Sequence, residues 1–177
     1  IRDSPYDVAS ALAQRLGAAP HYPIVPAIVE SRKVRDLLLQ ERKLQEIVQL
    51  WKKIDIALMS IGVIAADTGL YYSFADPEAE AERVRAMGAV GDILAAPFDI
   101  QGRFLDTGFL ERMIRIELED LQRIPLVVGI AGGPKKVKAI LGALRTGCLT
   151  ALVTDEYTAR QVMNLNAERP KNRPQQS

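Results

Sequence analysis

The stretch Pro125 to Leu144 joins an apolar run, a Gly132-Gly133 turn, Pro134 at a helix start, and Lys135 and Lys136 in the first helical turn. Free amides at a helix N-terminus and the positive end of the helix dipole bind anions, and glycines let an anion approach the backbone. A phosphate fits such a turn. Cations in a first turn oppose the dipole, so Lys135 and Lys136 are favourable there only beside something negative. A plain strand-to-helix turn with solvated lysines has the same pattern. Asp155 is the second candidate, placed where an apolar run passes into a helical one. Its ordinary role is N-capping, but at the carboxyl end of a strand it shares a rim with Gly132 and Gly133, where ligands of open α/β sheets lie. Asp92, just after Gly88-Ala89-Val90-Gly91, is the third. A carboxylate accepts hydrogen bonds from sugar hydroxyls better than a neutral group does, and a turn aspartate is the alternative.

Other chemistry is weaker. The triplets Asp67-Thr68-Gly69 and Asp106-Thr107-Gly108 suggest an aspartic-protease dyad, which needs equivalent loops of an all-β protein. His21, the sole histidine, lies among prolines without a recognisable partner, and Cys148, the sole cysteine, has no second histidine to activate it. One histidine and one thiol also fall short of the known zinc patterns. No metal or cofactor is expected.

These residues need elements to hold them. Asp3-Ser4-Pro5 starts a helix whose stripe is Val8, Leu12 and Leu16, ending at Gly17. Tyr22 to Val29 predicts a short strand, Ser31 caps a helix ending near Gln40, and Leu44, Ile47, Val48 and Trp51 share a helical face, which makes Trp51 a core residue. Ile56 to Ile61 predicts a strand covered on both faces, followed by a long loop from Ala65 to Ala75. Asp76-Pro77 opens a helix to about Met87. Ile93 to Phe98, Met113 to Ile116, Pro125 to Ala131 and Leu149 to Val153 predict further strands; Glu119 to Arg123 gives one helical turn. The helix after Gly133 carries Val137, Ile140, Leu141 and Leu144, and Asp155 caps a last helix to about Leu165. Alternating strands and helices define an α/β fold on a mainly parallel sheet with helices on both faces.

The 177 residues fit a single domain, with 166–177 a flexible tail. Hydrophobic residues are 48% and charged residues 25%, which excludes a disordered, collagenous or coiled-coil chain. A net charge of +1 gives no general attraction to nucleic acid or anionic lipid. Ile56 to Ala66, the longest uncharged apolar stretch, is about half of the ~20 residues a membrane helix needs, so no membrane partner is expected. The lone thiol fits a reducing, cytoplasmic setting. A start at Ile1 that runs directly into a helix signal suggests a piece of something longer.

Gly88-Ala-Val-Gly-Asp-Ile-Leu, Phe98-Asp99 with Gly102, Leu118-Glu119-Asp120-Leu121 with Ile124-Pro125, Ala131-Gly132-Gly133 with Lys136, and Leu152-Val153-Thr154-Asp155-Glu156 with Thr158-Ala159 occur in one order. This set resembles the sugar-binding domain of SorC/DeoR-type bacterial transcriptional regulators, densely from Gly88 to Leu165 and more thinly before. The resemblance implies a Rossmann-like fold related to sugar-phosphate isomerases that binds a sugar or sugar-phosphate effector without turning it over. It places Lys136 on the effector's phosphate, Asp92 on its hydroxyls and, weakly, Ser4 on a polar group. It implies a homodimer or homotetramer that meets operator DNA only through an N-terminal helix-turn-helix segment, which these residues do not include; the family's first strand and its phosphate-holding loop also precede Ile1. The loop Gly69 to Tyr72 lacks a basic residue found in some members, favouring a monophosphate or an unphosphorylated sugar over a bisphosphate. The alternatives are a sugar-phosphate isomerase-like enzyme and a degenerate oligomerisation domain.

Overall fold

The computed structural model describes residues 5–68 and 71–168. Ser4 and the tail from 169 lie outside the described residues. Two compact units divide the chain: residues 1–53 with 112–114, and residues 54–111 with 115–177.

The first unit is helical, with α1 (Pro5–Leu16), α2 (Arg32–Leu38) and α3 (Arg42–Trp51). Ser31 caps α2 as expected, its Oγ accepting from the Val34 amide at 3.3 Å. The strands predicted at Tyr22 to Val29 and Met113 to Ile116 shrink to one bridge, Ile28 to Met113, which Arg35 Nε braces by donating to the Met113 carbonyl at 2.8 Å. Prolines 20, 23 and 26 remove the donors a longer ladder would need. The α1 stripe Val8, Leu12, Leu16 is exposed, and Leu44 is the buried residue of α3; Trp51 is half-buried.

The second unit contains β1 (Ile56–Ser60), α4 (Pro77–Ala86), β2 (Ala89–Ile93), β3 (Ala96–Asp99), α5 (Leu118–Leu121), β4 (Leu126–Ile130), α6 (Val137–Arg145), β5 (Ala151–Val153) and α7 (Glu156–Ala167). β1, β4 and β5 form a parallel sheet in that order, with Leu58 opposite Val128 and Gly129 opposite Leu152. The α/β class with a mainly parallel sheet is as expected. β2 and β3 form a separate antiparallel hairpin where the sequence predicted one strand from Ile93. Its turn residues, Leu94 and Ala95, have φ of +50° and +58°. Such turns favour Gly, Asn or Asp, so Leu-Ala gives no turn signal. α6 packs closely on β2: a Cβ at Gly91 would lie 2.6 Å from that of Ala139.

Val127, Ala57, Met59 and Leu152 join the core with Ile61, Ile93, Phe98 and Ile140, whereas Ile56, Leu58 and Val153 on the other face are 58%, 53% and 56% exposed. Leu144, expected on the buried stripe of α6, is also exposed, and Ala139, Ile140, Leu141 and Ala143 carry that contact instead. α7 extends to Ala167, so Asn166 and Ala167, expected in the tail, are helical. The difference between the buried core and the exposed sheet face sets a prediction for urea unfolding. Ile93→Val should destabilise by about 0.5 to 1.5 kcal/mol, and Ile56→Val by less than about 0.5 kcal/mol.

Candidate functional site

Asp92 sits in β2, and β2 meets the chain just after β1 through a two-way bridge. Gly62 N donates to Asp92 O at 2.9 Å, and Asp92 N donates to Gly62 O at 3.3 Å. The Asp92 carboxylate lies directly over Gly62, where a Cβ would stand 1.5 Å from Oδ1, so only glycine leaves room for it. Lys136, at the start of α6, extends across the carboxyl end of β1 and donates through Nζ to the Ile61 carbonyl. Asp92 and Lys136 thereby line one cavity of about 460 Å³. Ser60, Thr68, Tyr71 and the hairpin residues Leu94 and Ala95 line it as well.

Burial pushes the Asp92 carboxyl up to about 6 against the pull of the Lys136 cation, which lowers it. The site therefore holds one cation and one carboxylate that changes charge near neutral pH. Ions and hydroxyls entering this space meet a charged donor and a charged acceptor.

Gly132, Gly133 and Asp155 come together elsewhere. The Gly133 amide, expected to face an anion, donates to Asp155 Oδ2 at 3.1 Å and to Thr158 Oγ at 2.8 Å. Thr158 Oγ in turn donates to Asp155 Oδ2 at 2.7 Å, and the Thr158 amide donates to Oδ1 at 2.8 Å. Asp155 thus caps α7 and supplies the anion for the Gly133 turn from within the chain. None of Gly132, Gly133 and Asp155 lines the Asp92 cavity. Hydrogen bonds from Thr158 and Gly133 hold the Asp155 carboxyl below its ordinary value. Thr158 is fully buried, so Thr158→Val, keeping shape but not the hydroxyl, should destabilise by about 1 to 2 kcal/mol in urea unfolding.

Lys135 faces away from Lys136's cavity. It lines an open groove of about 660 Å³ with Arg85, Lys138, Tyr157 and Gln161. Asp99, of the Phe98-Asp99 motif, folds its own loop: Oδ1 accepts from the Gln101 and Arg103 amides and Oδ2 from Arg103 Nε at 2.7 Å. Thr68 donates to the Val63 and Ala65 carbonyls, and Asp106 Oδ1 accepts from Gly108 N at 3.0 Å, so Thr68 and Asp106 serve local turns, while Gly69 of the first Asp-Thr-Gly triplet lies outside the described residues. Cys148 is buried. Among the described residues, no cluster of three or more His, Cys, Asp or Glu could hold a metal, and no helix is long and apolar enough to cross a membrane.

Tyr71, Thr68 and Gly62 were not among the sequence candidates. Gly62 was visible as the end of an apolar run, but Tyr71 lies in a stretch without periodicity and carries no signal of burial.

A parallel sheet whose carboxyl end opens on a cavity holding a carboxylate and a lysine defines a ligand-binding α/β domain. The family model described as "Putative sugar-binding domain" matches residues 2–164, and the chain belongs to that family. It is 32% identical over 152 residues to the sorbitol operon regulator of Klebsiella pneumoniae, covering 85% of this chain and 48% of that protein. It is 30% identical over 162 residues to the erythritol catabolism regulatory protein EryD of Brucella abortus, covering 90% and 50%. Among solved structures, a transcriptional regulator from Streptococcus pneumoniae superposes with a TM-score of 0.82 at 26% identity, covering 92% of this chain and 62% of that one. The full-length sorbitol operon regulator SorC from Klebsiella pneumoniae superposes with a TM-score of 0.77 at 30% identity, covering 87% and 50%. The chain spans about half the length of the curated relatives it matches. The SorC/DeoR resemblance seen in the sequence is thus met in both sequence and fold.

Proposed function

We propose that the chain is the effector-binding part of a cytoplasmic transcriptional regulator and that its ligand is a sugar or a sugar monophosphate held in the Asp92 cavity. The observation that carries this reading is the placement of Asp92 and Lys136 on one cavity at the carboxyl end of β1. Asp92 accepts from the ligand's hydroxyls, and Lys136 donates to a phosphate or another anionic oxygen. Ligand occupancy biases the assembly of a homodimer or homotetramer, and a separate helix-turn-helix segment reads the operator.

The ligand leaves unchanged. The relatives that the chain matches are named as regulators, which supports binding without turnover. A thermal-shift screen with pentose and hexose phosphates and the matching free sugars tests the reading. A ligand at 100 times its dissociation constant should add roughly 2.7 kcal/mol of stability. The sugar should be recovered without isomerisation; turnover that disappears in Asp92→Asn would make the protein an enzyme instead.

A further inference from the structure

We infer that Tyr71 is a ligand-recognition residue of the Asp92 cavity, its phenol donating to a sugar hydroxyl and so selecting hydroxylated ligands over their deoxy counterparts. The inference rests on the effector-site reading above. Tyr71 is 1% exposed, lines the cavity, and its hydroxyl has no hydrogen-bond partner among the described residues. A buried hydroxyl left unpaired is costly, and such groups are uncommon in folded proteins. Among the described residues Thr107 Oγ1 and Thr154 Oγ1 are also buried without partners, but neither lines this cavity.

The ring is fixed before any ligand arrives. The Tyr71 amide donates to the Thr68 carbonyl at 3.2 Å, its ring packs against Phe74 with centroids 6.4 Å apart, and Phe74 meets Phe109 edge-on at 5.4 Å. Burial, with the Asp92 and Glu80 carboxylates nearby, pushes the phenol well above its ordinary value, so it stays a neutral donor. A neutral donor from Tyr71 and an acceptor from Asp92 together suit a group that both accepts and donates, which an alcohol hydroxyl does and a phosphate dianion does not. A site built to pair a hydroxyl discriminates strongly against the ligand lacking it, because its own polar groups are then left unpaired.

Tyr71→Phe keeps the ring and removes the hydroxyl. Two measurements test it on this chain: the thermal midpoint without ligand, and calorimetric titration with ribose 5-phosphate, glucose 6-phosphate, sorbitol 6-phosphate and the 2-deoxy forms of the first two. The midpoint should stay unchanged or rise, since an unpaired hydroxyl is lost; a fall would show that the hydroxyl already has a partner and would overturn the inference. Affinity for the hydroxylated probe that binds wild type should drop roughly tenfold to a hundredfold, while its deoxy form binds both proteins alike. If Lys136→Ala loses affinity and Tyr71→Phe does not, the inference fails and the effector site stands. Equal losses for the hydroxylated and deoxy forms also overturn it, leaving Tyr71 as a wall of the cavity. If wild type binds none of the probes, the effector-site reading falls and this inference with it.

Discussion

Lys136→Ala should weaken sugar-phosphate affinity roughly tenfold to a hundredfold, and Lys135→Ala by less than about a factor of two. Lys135 and Lys136 lie in a 3-10 turn, Pro134–Lys136, just before α6, where consecutive residues point about 120° apart. Here that angle separates two spaces: Lys136 reaches over Ile61 into the cavity of Asp92, and Lys135 opens on the groove beside Arg85 and Tyr157. The loss of one charge-assisted contact is on the order of 1.5 to 3 kcal/mol. From the sequence, removing either cation relieves an unfavourable dipole interaction and leaves folding intact. The bond from Lys136 to Ile61 changes that expectation for Lys136 alone. Lys136→Ala gives up that bond and leaves Asp92 without its cation, so it should lower stability above pH 6 while Lys135→Ala does not. Calorimetry and urea unfolding on the two variants together check both parts; similar affinities for Lys136→Ala and Lys135→Ala would remove Lys136 from the site.

Asp92→Asn should do the opposite to stability and folding on one side and binding on the other. A carboxyl whose folded value is raised to about 6 from 3.8 holds a proton in the folded state that the unfolded chain has already lost. Its contribution is fully present below about pH 4 and falls away as pH rises to about 6; above that, the buried charge costs on the order of 3 kcal/mol. Asparagine removes the charge. The variant should match wild type near pH 4 and exceed it by up to about 3 kcal/mol at pH 8, while losing most of its affinity for sugar hydroxyls. Urea unfolding at the two pH values measures the difference. A gain that is the same at both, or a loss at pH 8, would mean that Asp92 is solvated or better paired than its burial indicates. A binding site that keeps a destabilising charge is a familiar exchange of stability for function.

The two effects follow from features that the sequence revealed unevenly. Lys136 and Asp92 were readable as a cation after Gly132-Gly133 and an acid after Gly91, because glycines and charges at the ends of apolar runs are local signals. Their meeting was not, since it depends on Gly62 admitting the Asp92 carboxylate from a distant strand. Asp155 was readable as a cap, and capping is what it does. Its second bond, to the amide of Gly133, closed the very turn that looked open to an anion, and residues so far apart in sequence give no warning of it. The β2–β3 hairpin stayed hidden because Leu94 and Ala95 occupy a left-handed turn without the residues that normally announce one. Tyr71 was hidden for a different reason: its ring packs on Phe74, three residues on, and not on a periodic face. Apolar runs foretold β1 and β4 but also suggested cover on both faces, and the exposed side chains of Ile56 and Leu58 show that an apolar strand can leave one face open.

The central claim is that a sugar ligand enters the cavity of Asp92 and Lys136. Titration of the isotope-labelled chain with the sugar phosphate that stabilises it, followed by amide chemical shifts, locates the ligand most directly. The largest shifts should fall on Gly62, Tyr71, Asp92, Leu94 and Lys136, with little change at Lys135, Tyr157 or Gln161. Shifts centred on Arg85, Lys135 and Tyr157, or on the Gly133 turn with Asp92 unmoved, would contradict the account.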